Sequence, residues 1–100
     1  MTGDRQLRIY TIRDGALEEF VQRWQQGVLP LRVRHGFTVE GAWVVPDQSR
    51  FVWLLSYAGP GTFQQADAAY YASPEREELR PDPAELISEN VTYWLSPLPS

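Results

Sequence analysis

Few side chains in this 100-residue sequence can do chemistry near neutral pH, and the single histidine, His35, is the first of them. It precedes Gly36 at the end of a helical pattern. It reads either as a general acid or base, or as a helix C-terminal partner that bonds a free carbonyl and suits the dipole. Arg8 and Tyr10 alternate with apolar residues in the first apolar run and share one face of it. An arginine there needs a partner or a ligand, because an unpaired buried charge is very costly. Glu40, on a neighbouring hairpin, is one expected partner. The other reading has Arg8 hold a carboxylate, enolate or carbonyl oxygen of a ligand, with Tyr10 donating to the same oxygen. Trp24, Trp43, Trp53 and Trp94, with Tyr57, Tyr70 and Tyr71, supply core and interface surface, and some can line an apolar cleft with His35, Arg8 and Tyr10 as its polar groups. Asp67 and the Glu75, Glu77, Glu78 run read as a solvated face.

The residue inventory excludes several classes. There is no cysteine, so disulfides, thiolate catalysis and cysteine metal sites are out; one histidine excludes a multi-histidine metal site within a chain. All nine basic residues are arginine, which leaves no lysine for Schiff-base chemistry. A net charge of -4 without a basic stripe argues against nucleic-acid binding. No apolar run approaches the length of a membrane helix, and MTGDRQLRIY lacks a signal pattern, so a cytoplasmic location is expected. GPGT is too short for a phosphate loop and lacks its lysine; no dinucleotide fingerprint or nucleophile elbow is present.

The elements that must position these groups are set by periodicity. Leu7 to Arg13 alternates as a strand, and Asp14-Gly15 ends it, with Gly15 or Asp14 able to cap a helix directly after it. Leu17, Phe20, Val21, Trp24, Val28 and Leu31 recur at helical spacing, with Gly36 placed to stop the helix in a left-handed conformation. Pro30 lies inside that span, which predicts a kink or break near residues 27–29. Phe37 to Tyr57 reads as a hairpin around Pro46-Asp47-Gln48-Ser49. In it Phe37, Val39, Gly41, Trp43 and Val45 share one face, as do Phe51, Trp53, Leu55 and Tyr57. Thr62 with Gln65 forms a capping box, and Ser73-Pro74 starts a new turn. Residues 80–84, with two prolines, read as a mobile connection before a strand at 90–95.

The order strand, helix, strand, strand, helix, strand is the ferredoxin-like βαββαβ arrangement, an α+β fold with a four-stranded antiparallel sheet in one domain. Two helices cover one sheet face only. The other face would expose more apolar surface than soluble monomers usually do, so a homodimer packed sheet to sheet into a barrel is expected.

LRIYTIRDGALEEFVQRW, LPLRVRHGF, GAWVV, FVWLLSY and Tyr71-Ala72-Ser73-Pro74-Glu75 together resemble the NIPSNAP family of the dimeric α+β barrel superfamily. The sequence departs after Glu75, where the tryptophan that this pattern carries two residues later is absent. The resemblance implies the barrel and the dimer. The superfamily's activities range over cofactor-free monooxygenases, haem-degrading enzymes, cyclases and isomerases, and a fold does not choose among them. The expected function is cofactor-free cyclisation, dehydration or isomerisation of a hydrophobic aromatic or polyketide-like metabolite. His35 would be acid or base, with Tyr10 and Arg8 stabilising the oxyanion. A cofactor-free monooxygenase, a haem-handling protein with His35 as ligand, and a non-catalytic binding module are the alternatives.

Overall fold

A computed structural model describes residues 4–99. Strands β1 (Arg5–Ile12), β2 (Phe37–Val45), β3 (Arg50–Tyr57) and β4 (Ile87–Trp94) form one sheet in the order β2-β3-β1-β4, all neighbours antiparallel. With the helices packed on one face, this is the ferredoxin-like α+β fold. β1 and β3 are central, and their alternation decides what each face presents. Gln6, Arg8 and Ile12 of β1 and Phe51, Trp53 and Leu55 of β3 are buried beneath the helices. Leu7, Ile9, Val52 and Leu54 point the other way.

The first helical stretch is one column of three segments: α1 (Leu17–Arg23), a π turn (Trp24–Val28) and α2 (Leu29–Arg34). Ala16 occupies the N-cap without a side-chain bond, so neither Asp14 nor Gly15 caps α1; Gly15 supplies the left-handed turn at φ 79°. The irregularity expected near residues 27–29 is a π turn, and the helical column runs through it without a break. Proline removes an N–H from the ladder, and here the π turn absorbs the fault: the Leu29 N–H donates to Trp24 O, five residues back. The wider turn keeps Trp24, Val28 and Arg32 on the face that meets the sheet. Gly36, at φ 90°, ends α2 as its position predicts.

The β2–β3 register shifts between Val39 and Gly41. One extra residue on β2 inverts the facing of everything beyond it. Ala42 lies opposite Trp53 and Val44 opposite Phe51, on the helix side, whereas Trp43 lies opposite Val52 on the open face. The strict alternation of Phe37 through Val45 therefore fails at Glu40. Ser49, left-handed at φ 52°, closes the turn, and its Oγ donates to Ile12 O at 2.9 Å.

In α3 (Phe63–Ala72) both bonds of the Thr62–Gln65 capping box form. Ser73 then serves two ends: its Oγ donates to Tyr70 O at 2.7 Å and accepts from the Arg76 N–H at 3.2 Å, which starts the short α4 (Pro74–Glu77). Beyond it a 3-10 turn (Pro83–Leu86) leads into β4, with Asp82 as its cap. The core joins Phe20, Trp24, Val28 and Leu31 from the first helical column to Phe51, Trp53 and Leu55 of β3 and to Phe63 and Tyr70 of α3. Among the described residues no helix is long and apolar enough to cross a membrane.

Candidate functional site

A cavity of about 310 Å³ lies between the sheet and the helices. Arg8, Tyr10 and Trp53 form its floor; Phe20, Trp24, Val28 and Arg32 come from the first helical column; Asp67, Tyr70 and Tyr71 come from α3. Arg76, Pro83, Ala84 and the β4 residues Ile87, Asn90 and Thr92 complete the wall.

Its polar centre is a buried ion cluster. Arg8 and Arg32 are 6 % and 1 % exposed, yet both donate to the same carboxylate oxygen: Arg8 Nη2 to Asp67 Oδ1 at 3.1 Å and Arg32 Nη1 to that atom at 2.7 Å. The Tyr71 hydroxyl accepts from Arg8 Nη1 and Arg32 Nη2, each at 3.3 Å, and Gln6 Oε1 accepts from Arg8 Nε at 2.9 Å. Local geometry explains the convergence. Asp67 and Tyr71 are four residues apart on α3 and share a face, while the π turn aims Arg32 at them. Aromatic rings replace the lost water: the Arg32 Cζ lies 3.8 Å from the Tyr70 ring centroid, and Arg8 Cζ lies 5.8 Å from that of Trp53.

Two guanidiniums against one carboxylate leave a net positive wall. Burial works against the charged form of Arg8, but Tyr10, Tyr71 and Asp67 outweigh it and hold its pKa above the ordinary arginine value. Burial pushes the Tyr10 phenol up, partly opposed by the Arg8 guanidinium. Burial likewise raises Tyr70 against Arg32 and Arg76. Both phenols are therefore protonated donors at neutral pH. Five donors on cavity residues, Trp24 Nε1, Trp53 Nε1, the Tyr70 hydroxyl, Arg32 Nε and Arg76 Nε, are buried without a hydrogen-bond partner among the described residues. Groups left in that state cost roughly 1–3 kcal/mol each.

The connection at 80–84 forms part of the enclosure and is tied down from two sides. Arg23 Nη1 donates to Asp82 O at 2.8 Å and to Glu85 Oε1 at 2.6 Å, and Arg23 also pairs with Glu19; Arg76 Nη2 donates to Asp82 Oδ1 at 3.1 Å. A freely mobile connection is not what these bonds describe.

Of the residues singled out from the sequence, Arg8, Tyr10, Trp24, Trp53 and Tyr70 meet at this cavity. The others lie elsewhere. His35 ends α2, half-buried, with its ring edge-on to Tyr70 at 5.5 Å, and does not line the cavity. Trp43 is 55 % exposed on the open sheet face. Tyr57 packs on Phe37 and donates to Pro60 O at 2.7 Å. Glu40 pairs with Arg5 at 2.8 Å rather than with Arg8; the Ser56 hydroxyl and Arg5 hold its carboxyl below the ordinary range. Asp67, read as part of a solvated face, is instead the anion at the centre of the cluster. The sequence does not single out Arg32 or Arg76, and it marks Tyr71 only among the aromatics and in the family pattern. The spacing of Arg32 from Trp24 and Val28, and of Tyr71 from Asp67, was the signal available.

Among the described residues no group of three His, Cys, Asp or Glu side chains could hold a metal ion. The described cavity wall presents no histidine to a haem iron, and His35 packs against its Tyr70 from outside.

Solved structures share the fold. An uncharacterized NIPSNAP domain protein from Burkholderia xenovorans superposes with a TM-score of 0.83 at 18% identity, covering 98% of this chain and 95% of that one. A NIPSNAP family protein from Agrobacterium tumefaciens gives 0.83 at 18% identity, with 94% and 84% covered. A putative antibiotic biosynthesis monooxygenase from Nitrosomonas europaea is more distant, at 0.67 and 16% identity, with 98% and 94% covered. At such identities the likeness establishes the fold alone. No curated protein matches the chain in sequence. The NIPSNAP family model matches residues 5–100, nearly the whole chain, and with it the protein belongs to the NIPSNAP family.

Proposed function

We propose that the cavity binds a small hydrophobic, enolisable or phenolic molecule and stabilises its oxyanion between Arg8 and Arg32. The observation that carries this reading is the pair of almost fully buried guanidiniums sharing one oxygen of Asp67, in an aromatic cavity whose nearby donors lack partners. Such donors, fixed in place before charge develops, lower the energy of an enolate or phenolate. A volume of about 310 Å³ lies at the small end of ligand pockets and suits one or two fused rings. Both arginines bond Oδ1 of Asp67, and in this reading Oδ2, which neither of them bonds, is the proton acceptor. The reaction class is proton abstraction beside a carbonyl, leading to cyclisation, dehydration or isomerisation without a cofactor. His35 contributes only by buttressing Tyr70.

The test is hydrogen–deuterium exchange at the α carbon of 2-tetralone in D₂O, followed by NMR. Exchange faster with protein than in buffer, and reduced on the order of 10²-fold in Arg8→Gln, is expected. Saturable binding with exchange at the buffer rate would leave a binding module without catalysis.

The likeness to a putative antibiotic biosynthesis monooxygenase favours a second reading, in which the stabilised enolate or phenolate is attacked by dioxygen. Oxygen uptake dependent on substrate would select it. A Soret shift on adding hemin that disappears in His35→Ala would select the haem alternative.

We also propose that the open sheet face is covered by a second copy of the chain. Trp43, Tyr93 and Val91 are each more than two-fifths exposed there, with Leu7, Ile9, Val52 and Leu54 between them, a contiguous apolar face of the kind that marks an interface. Such a dimer leaves both cavities on the outer, helix-covered sides.

A further inference from the structure

The cavity carries more positive charge than its central cluster uses. The charged side chains of its wall are Arg8, Arg32 and Arg76 against the single carboxylate of Asp67, in a chain whose net charge is -4. Arg76 is the least satisfied of the three. Its side chain is 12 % exposed, and of the five donors of a guanidinium only Nη2 makes a bond in the structure, to Asp82 Oδ1 at 3.1 Å. Its Nε is buried without a partner among the described residues. The Arg76 Cζ lies 5.7 Å from the Tyr71 ring centroid, and Arg32 Cζ lies 5.2 Å from the same point. The two cations are therefore set around one ring, no further apart than those two distances combined. A largely buried cation that lines a cavity with its Nε buried and unpartnered is a place for an anion.

We propose that Arg76 is a specificity-determining residue that takes a carboxylate of the ligand. This rests on the oxyanion reading of the cavity and narrows it. The ligand class becomes small aromatic or fused-ring acids, with the enolisable or phenolic oxygen at Arg8 and Arg32 and a carboxylate nearby at Arg76. The planar fork of arginine matches a carboxylate with two parallel bonds, which an ammonium could not offer. Asp82 holds the guanidinium from the side of the 80–84 connection, so Arg76 is set in place before the ligand arrives.

A latch for that connection is the competing explanation of the Arg76–Asp82 pair, and the test separates the two. Calorimetric titrations with 2-naphthol and 3-hydroxy-2-naphthoate at neutral pH compare wild type, Arg76→Gln and Asp82→Asn. Wild type should bind the hydroxynaphthoate at least about tenfold more tightly than the naphthol. Arg76→Gln should lose that preference while still binding 2-naphthol, and Asp82→Asn should keep it. Equal affinity of wild type for both compounds, or a preference that survives Arg76→Gln, would overturn the proposal and leave the oxyanion reading intact. Binding of neither compound would overturn both. If Arg76→Gln does not fold, the Arg76 Nε–H resonance of wild type reports the same contact. It should shift with the hydroxynaphthoate and not with 2-naphthol, and the absence of that difference would contradict the proposal.

Discussion

Arg8 and Arg32 donate to one oxygen of Asp67, at 3.1 and 2.7 Å, from a central strand and from the last turn of a helix. The carboxylate is the only anion in the cluster, and it holds both cations below the protein surface. Removing it should therefore cost far more than removing an acid from an exposed pair. Asp67→Asn is expected to lose roughly 3 kcal/mol or more of stability, because it leaves two buried guanidiniums uncompensated. Glu40→Gln, which breaks the exposed pair with Arg5, should stay within about 1 kcal/mol. Urea unfolding of the two variants compares them directly, and similar losses would mean that the cluster is not buried as described.

The raised phenols make the fold sensitive to alkali. A group whose pKa is higher in the folded chain stabilises it fully below its unfolded value, near 10 for tyrosine, and loses that contribution as pH rises through the folded value. Stability should thus be level up to about pH 9 and fall above pH 10. Tyr10→Phe should flatten part of that fall, and Tyr10→Phe with Tyr70→Phe more of it. Denaturant midpoints measured across this range check the slope.

His35 does not line the cavity and packs edge-on against the Tyr70 ring that does. His35→Ala is expected to keep ligand affinity within about twofold and to lose roughly 0.5–1 kcal/mol of stability from the end of α2. Loss of tetralone exchange with unchanged binding in this variant would return His35 to the reaction.

On the open face, Trp43 folds its ring over Gly41, where a Cβ would collide with the ring. Trp43→Glu should turn a dimer into a monomer by placing a charge in the interface, and Gly41→Ala should weaken the dimer by displacing the ring. Sedimentation velocity distinguishes these states. A wild-type monomer at micromolar concentration would contradict the proposed assembly.

The fold was largely legible because its signals were local. The alternation of β1 and β3, the Thr62–Gln65 box, Ser73-Pro74 and the stop at Gly36 each act within a few residues. The errors arose where an extra residue enters a regular element. With apolar residues on both faces of β2, period-two counting had nothing to register at Glu40, so Trp43 was assigned to the wrong face. The π turn likewise carries the helix past Pro30 and keeps Arg32 in line with Trp24 and Val28, a spacing that is not followed once a break is expected between them. Half of the site was visible, because Arg8 and Tyr10 interrupt a strand that must be buried. Asp67 was not, since an acid on a helix is usually solvated, and only the tertiary approach of two arginines makes it the centre of a site.

The most direct measurement of the central claim follows the indole N–H resonances of the four tryptophans during titration with 3-hydroxy-2-naphthoate. Trp24 and Trp53 line the cavity, while Trp43 and Trp94 lie at exposed positions outside it. Saturable shifts of Trp24 and Trp53, with Trp43 and Trp94 unmoved, are the expected result. Shifts confined to Trp43 and Trp94, or none at any ligand concentration, would contradict the reading of the arginine-lined cavity as the functional site.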